Sequence, residues 1–175
     1  MFKLKTFALS IMLGAFVTCA AAQQPLQTSR LTDTLQVSGQ IFPEHMQALQ
    51  QQGIRTVIDM RPDGEAFDEP PSSIMAQAAR QAGLQFSYVP VPLGGSVPPA
   101  AVDALGQILA HAPRPVLLYC RSGMRATKAW ALNEAARPGG LDAAAILHHA
   151  RNAGRPVDDL GEQIAQRIAA RDRGS

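Results

Sequence analysis

Residues 116–125 decide the fold, and they read VLLYCRSGMR. The first four are an apolar run without alternation, which is typical of a strand covered on both faces at the centre of a sheet. Gly123 allows the backbone to turn sharply, and a helix is predicted from about Ala126. Cys120 is therefore expected at the carboxyl end of a central strand, the edge at which open α/β sheets bind their ligands.

The remaining chain alternates strand patterns with helix patterns. Further strands are predicted at Thr34–Val37, Thr56–Asp59 and Phe86–Val89. Helices are predicted from Pro43 to Gly53, from about Ser73 to Gly83, over Val102–Ala112, and at about Ala126–Ala136, Leu141–Ala153 and Val157–Ala170. We therefore predict an α/β fold with a mostly parallel central sheet and helices on both faces.

The first residues have the pattern of a secretory signal peptide. Lys3 and Lys5 give a positive start, Phe7–Val17 is a short apolar run, and Ala20–Ala22 offers a small-residue cleavage site. A permanent membrane anchor is the weaker alternative, because the apolar run is shorter than the roughly 20 residues that span a bilayer. We predict a signal peptide at residues 1–22, a single domain at residues 23–175 and a periplasmic location.

The charge balance gives no reason to expect binding to nucleic acid or to a lipid surface. The chain has 16 Lys and Arg residues against 14 Asp and Glu residues. Loss of Lys3 and Lys5 with the signal peptide would leave a formally neutral protein without a basic run. We expect small-molecule partners and no stable insertion into a membrane, and the sequence leaves the oligomeric state open.

Cys120 would be the solitary thiol of the mature chain, because Cys19 leaves with the signal peptide. No internal disulfide can then form, although exported proteins commonly contain them. A metal site is not predicted, because a second Cys is missing and the adjacent His148 and His149 cannot face one ion from a helix. We predict no cofactor.

The loop Cys120–Arg125 has the composition of an anion-binding cradle. Gly123 lets the loop amides converge on one point, and the positive end of the following helix adds to them. The anion is either a Cys120 thiolate or an oxyanion substrate beside it. The predicted catalytic residues are Cys120 and Arg125, and the predicted substrate-binding residues are Arg121, Ser122, Gly123 and Met124.

Three charged residues after the strand Thr56–Asp59 are candidates for a supporting role: Asp59, Arg61 and Asp63. Such clusters most often fix loops through ion pairs and turn bonds. Arg61 is a candidate for ordering its loop, and Asp63 is a weak candidate for a general acid.

Two stretches of the chain resemble known families. Tyr119–Ala129 resembles the active loop of single-domain rhodaneses. The longer pattern of VSGQ at residues 37–40, VIDMRPDGE at residues 57–65 and the Cys120 loop resembles the phosphatase-like domain of beta-lactamase hydrolase-like proteins and of small sulfurtransferases. The resemblance covers about Leu31–Asp159. It implies the fold of the dual-specificity phosphatases and sulfur transfer through a persulfide on Cys120.

Two details favour sulfur transfer over phosphate transfer. Phosphatases of the resembled fold hold one residue more between Cys and Arg than the four that separate Cys120 from Arg125, so a tighter cradle is expected. They also carry an Asp general acid before the Cys, whereas Phe86–Ala101 contains no acidic residue. Sulfite and thiolates leave without much protonation, and sulfur transfer therefore needs no such acid.

The predicted activity is transfer of sulfane sulfur from a small anionic donor, thiosulfate or a persulfide, to a thiol acceptor through a Cys120 persulfide. One alternative is a cysteine-dependent phosphatase that acts on small phosphoesters. The other is a non-catalytic module that binds anions or senses oxidants.

Overall fold

The structure is a computed structural model that describes residues 26–174. The predicted signal peptide at residues 1–22 lies outside the described residues, and export therefore stays a prediction of the sequence. Within residues 26–174, no helix has the length and apolar character needed to cross a bilayer.

A five-stranded sheet forms the centre of the described chain. Its strands are β1 (Thr28–Thr32), β2 (Leu35–Ser38), β3 (Thr56–Asp59), β4 (Gln85–Tyr88) and β5 (Val116–Tyr119). They lie in the order β1-β2-β5-β3-β4, and only the β1-β2 pair is antiparallel. All residues of β5 are buried in the middle of the sheet. The predicted mostly parallel sheet, with Val116–Tyr119 at its centre, is confirmed.

Helices cover both faces of this sheet. They are α1 (His45–Gln51), α2 (Ser72–Gln81), α3 (Pro99–His111), α4 (Met124–Ala136), α5 (Ala143–Asn152) and α6 (Gly161–Arg173). One buried apolar cluster joins the sheet to α3, α4, α5 and α6, and a second joins it to α1 and α2. Successive residues of a strand point to opposite faces, so Leu118 belongs to the first cluster and Leu117 to the second. The α/β class with helices on both faces is confirmed.

The sequence pattern missed β1 and placed the start of the last helix too early. β1 is an edge strand with one fully buried residue, Leu31, so it lacks the apolar pattern that marks the inner strands. Before α6, Asp158–Leu160 forms a 3-10 turn, and the α-helix begins at Gly161 instead of Val157.

Backbone pairing continues beyond the strand ends and gathers three segments at the carboxyl edge of the sheet. The amide of Met60 donates to the carbonyl of Tyr119 at 2.8 Å, and the amide of Gln40 donates to the carbonyl of Arg121 at 3.1 Å. The segments that follow β2, β3 and β5 therefore lie side by side. Cys120, directly after β5, is at the centre of this edge.

Candidate active site

The Cys120 loop folds so that a backbone amide points at the sulfur. Gly123 has φ 85°, a left-handed conformation that favours glycine. The turn brings its N–H to the Cys120 Sγ, with 3.1 Å between nitrogen and sulfur. Helix α4 begins at Met124, so its positive end lies at the same loop. The Cys120 side chain itself is fully buried.

The backbone builds this cradle, while the neighbouring side chains point elsewhere. The Ser122 hydroxyl accepts a hydrogen bond from the Met124 amide at 3.4 Å and has no bond to the sulfur. The Arg121 side chain is exposed and forms no hydrogen bond or ion pair with the described part of the chain. Met124 is half-buried against the core cluster of α4. Of the four predicted substrate-binding residues, Gly123 is the one that donates a hydrogen bond to the Cys120 Sγ within residues 26–174.

Arg125 lies beside Cys120 and is oriented by a carboxylate. Its Nη1 donates to Glu65 Oε1 at 2.5 Å and to the Val91 carbonyl at 2.7 Å, and its Nη2 donates to Glu65 Oε2 at 2.7 Å. Burial favours a neutral guanidinium, but Glu65 and the Cys120 sulfur outweigh burial, and the pKa of Arg125 lies above its ordinary value. Two of the five N–H donors of an arginine are left for the sulfur or for an anion beside it.

Glu65 is the centre of a buried network in the loop between β3 and α2. Arg61 Nε donates to Glu65 Oε2 at 3.0 Å, and the other Arg61 nitrogens bind Glu69 at 2.5 Å and Gln40 at 2.6 Å. The Arg61, Glu65 and Glu69 side chains are only 6%, 9% and 4% exposed. The hydrogen bond from Arg125, against the effect of burial, holds the pKa of Glu65 below its usual range. The Arg61 guanidinium therefore ties two carboxylates of this loop to Gln40, and its supporting role stays a prediction.

Asp59 and Asp63 also stabilise this loop. Asp59 Oδ1 accepts a hydrogen bond from the Arg61 amide at 2.9 Å. Burial raises the pKa of Asp59 to about 6, although the Tyr119 hydroxyl and the Arg61 amide act in the opposite direction. The Asp63 carboxylate accepts bonds from the amide and the hydroxyl of Ser72, both at 2.7 Å, so it caps the first turn of α2. That bonding weakens the case for Asp63 as a general acid.

Sequence reasoning missed Glu65 and Arg155 as site residues. Glu65 ends the quoted stretch VIDMRPDGE, so its place in that pattern was an available signal. Arg155 has no local signal, because it lies in the turn after α5. Its Nε donates to the Ser122 carbonyl at 3.0 Å, and burial lowers its pKa while the charge of Cys120 acts in the opposite direction.

The described residues offer no obvious metal centre. Within residues 26–174, no three His, Cys, Asp or Glu side chains are grouped so that they could hold a metal ion.

Comparison with known proteins identifies the family. Residues 27–137 match the family model of the phosphatase-like domain of beta-lactamase hydrolase-like proteins. The chain belongs to this family. The beta-lactamase hydrolase-like protein of Xylella fastidiosa (strain Temecula1) is 34% identical over 139 residues, which are 78% of this chain and 32% of the relative. That of Agrobacterium fabrum (strain C58) is 32% identical over 110 residues, which are 63% of this chain and 25% of the relative. The chain thus spans about a third or less of the length of these curated relatives.

Solved structures with the same fold are phosphatases or candidate phosphatases. A candidate phosphatase of Neisseria meningitidis Z2491 superposes with a TM-score of 0.69 at 29% identity, over 79% of this chain and 96% of that chain. A candidate phosphatase of Shewanella putrefaciens CN-32 gives 0.62 at 21% identity, over 82% and 88%. PTPMT1 gives 0.60 at 16% identity, over 85% and 100%. The last two show the fold alone. The predicted protein-tyrosine-phosphatase-like fold is confirmed.

The prediction of a rhodanese-like sulfurtransferase is wrong, because the family and the structural neighbours are phosphatases or phosphatase-like. Arg125 is the second residue of α4 and is turned by Glu65, so the short spacing after Cys120 changes how the guanidinium is held and does not select sulfur as the ligand. The lack of an acid in Phe86–Ala101 does not decide the chemistry either. The loop between β3 and α2 reaches Arg125 and carries several acidic residues.

Proposed function

We propose that this chain is a cysteine-dependent phosphatase that hydrolyses small phosphate monoesters. The observation that carries the proposal is the convergence of the Gly123 amide, the Arg125 guanidinium and the start of α4 on Cys120. Such a group of donors binds a tetrahedral oxyanion and stabilises the charge that develops during phosphoryl transfer.

The reaction has two steps. The Cys120 thiolate attacks phosphorus, a P–S bond forms, and the P–O bond to the leaving alcohol breaks as its oxygen takes up a proton. Water then attacks the phosphocysteine, the P–S bond breaks, and inorganic phosphate leaves as the thiolate is restored. The Gly123 amide and the two remaining Arg125 donors bind the phosphoryl oxygens in both steps.

Asp68 is our candidate for the acid that protonates the leaving oxygen. Within the loop between β3 and α2, Asp63 is bonded to Ser72, and Glu65 and Glu69 are paired with arginines. Asp68 is exposed on the same loop, and within residues 26–174 it forms no hydrogen bond or ion pair. Its carboxylate is therefore available to a substrate that binds at Arg125.

The function is tested by phosphate release from p-nitrophenyl phosphate and from an alkyl phosphate. We expect turnover by the wild type and none by Cys120→Ser, whose hydroxyl is a much weaker nucleophile. Vanadate, which mimics the five-coordinate phosphorus of the transition state, should inhibit competitively. The proposal would be contradicted if the wild type released phosphate from neither substrate, or if Cys120→Ser released as much as the wild type.

Asp68→Asn tests the acid. A general acid matters most for a basic leaving group, so the variant should lose at least about tenfold more activity on the alkyl phosphate than on p-nitrophenyl phosphate. Asp63→Asn is the matched control from the same loop. It should lower stability through the cap of α2 and leave the ratio of the two activities unchanged, and an equal ratio in both variants would exclude Asp68.

A further inference from the structure

Arg155 lies beyond residues 27–137, which the family model matches, and it holds the anion-binding loop directly. Its Nε donates to the Ser122 carbonyl at 3.0 Å. Its Nη1 donates to the Ala153 carbonyl at 2.9 Å and to the Ser29 hydroxyl at 3.0 Å. The side chain therefore ties the loop to the end of α5 and to β1 through three neutral oxygens.

The carbonyl held by Arg155 belongs to the same peptide unit as the amide that faces the nucleophile. In a planar trans peptide, the C=O of Ser122 and the N–H of Gly123 point in opposite directions. A guanidinium bound on the carbonyl side therefore fixes the amide on the other side. There the amide donates to the Cys120 Sγ at 3.1 Å.

This peptide unit needs a restraint, because glycine lacks the steric limits that confine other residues. The Arg155 side chain also packs directly on Gly123, where an added Cβ would lie 2.1 Å from Nε. Glycine thus allows both the turn at φ 85° and the close approach of the guanidinium. The Arg155 guanidinium in turn restrains the backbone of Gly123, which has no side chain to limit its conformation.

We propose that Arg155 is a positioning residue of the active site, which holds the Ser122–Gly123 peptide unit so that its amide points at Cys120 and at the anion bound there. The inference deepens the proposed phosphatase function and rests on it. The charge of Arg155 also interacts with Cys120, and within residues 26–174 it is not paired with a carboxylate.

Arg155→Met tests the role, since methionine retains most of the side-chain length without the charge or the donors. Arg151→Met is the matched control, because Arg151 is 55% exposed and pairs with the exposed Asp158 at the same end of α5. With p-nitrophenyl phosphate, we expect kcat of Arg155→Met to fall between about 10- and 100-fold with a smaller change in KM, because the lost alignment concerns a transition-state donor. The control should stay within about twofold of wild type.

A second measurement does not depend on turnover. The ultraviolet absorbance of the thiolate is followed against pH, with the Cys120→Ser protein subtracted. The thiolate absorbance should appear at higher pH in Arg155→Met than in wild type and in Arg151→Met. Arg155→Lys retains the charge without the Nε–H, so it should keep the wild-type absorbance profile and still lose kcat.

The outcomes separate the two proposals. A wild type without phosphate release contradicts the phosphatase function, and the absorbance titration then still decides whether Arg155 acts on Cys120. Wild-type kcat together with a wild-type titration in Arg155→Met overturns the inference. If Arg155→Met does not fold, the lysine variant decides, because wild-type kcat there overturns the positioning role.

Discussion

Two arginines flank Cys120, and they are held in opposite ways. Arg125 is bound by both carboxylate oxygens of Glu65, and together with Arg61 and Glu69 these residues form a formally neutral group. Arg155 is bound by neutral oxygens, and burial lowers its pKa against the effect of Cys120, with no carboxylate partner among the described residues. The first arginine offers aimed N–H donors to the ligand. The second offers uncompensated positive charge and orders the backbone.

The difference shows that one site can separate two requirements of anion chemistry. A carboxylate clamp gives a guanidinium a defined direction but cancels most of its charge. A set of carbonyl and hydroxyl acceptors leaves the charge intact. Variants of Arg125 and its carboxylate partner should therefore change activity and stability differently from variants of Arg155.

Replacement of Arg125 should produce the largest effect. Arg125→Lys keeps a positive charge but loses the planar fork that binds Glu65 and that, in the proposed mechanism, binds the phosphoryl oxygens. We expect kcat/KM for p-nitrophenyl phosphate to fall about 10²- to 10³-fold, more than for Arg155→Lys. If the two lysine variants lost the same activity, Arg125 and Arg155 would not have the different roles assigned to them, N–H donation to the ligand for Arg125 and positive charge for Arg155.

Glu65→Gln should have the next largest effect, on both stability and activity. Arg61 and Arg125 would lose the buried carboxylate between them, and the free energy of unfolding should fall by about 3 kcal/mol. The poorly aligned Arg125 should lower kcat/KM about tenfold. Urea unfolding and aryl phosphate assays measure the two effects. Glu69→Gln, which affects Arg61 but not Arg125, is the control and should change stability more than activity.

Asp59 and Glu65 differ in the direction of their pKa shifts. Burial raises the pKa of Asp59 from 3.8 to about 6, whereas the pKa of Glu65 is lowered. The folded state then binds the Asp59 proton more tightly than the unfolded state, so the contribution of Asp59 to the free energy of unfolding is fully present below about pH 4 and is lost as pH rises through 6. Asp59→Asn can still accept the Arg61 amide and carries no charge. We expect it to be more stable than wild type above pH 6, by about 2 kcal/mol, with little difference near pH 4. A difference that stays constant from pH 4 to pH 8 would show that Asp59 does not titrate in this way.

Arg121 should give the smallest effect, although it lies in the same loop as Arg125. Its exposed side chain has no partner among residues 26–174 and is screened by solvent. Arg121→Ala should raise KM about threefold, leave kcat unchanged, and lose its effect at high salt. A fall in kcat comparable with that of Arg155→Met would show that Arg121 closes on the bound substrate.

Much of the fold follows from local pattern. The unbroken apolar run of Val116–Tyr119 predicted the central strand, because a strand buried on both faces has apolar residues throughout. The helical spacing of Leu105 and Leu109 predicted α3, because a helix buried on one face has apolar residues three or four positions apart. The edge strand β1 left no such trace. The chemistry of the loop was predicted wrongly, since the spacing around Cys120 favoured sulfur transfer whereas the family is phosphatase-like.

The sequence by itself determined that a thiol would follow a central strand, with a glycine turn and a helix start beside it. These features arise from neighbours in the chain, whose geometry is set by backbone sterics and burial. The tertiary structure alone decided which carboxylate orients Arg125 and that Arg155 holds the Ser122 carbonyl. Glu65 and Arg155 reach the loop from the β3–α2 connection and from the turn after α5, and a side-chain contact between such distant segments depends on how the layers pack.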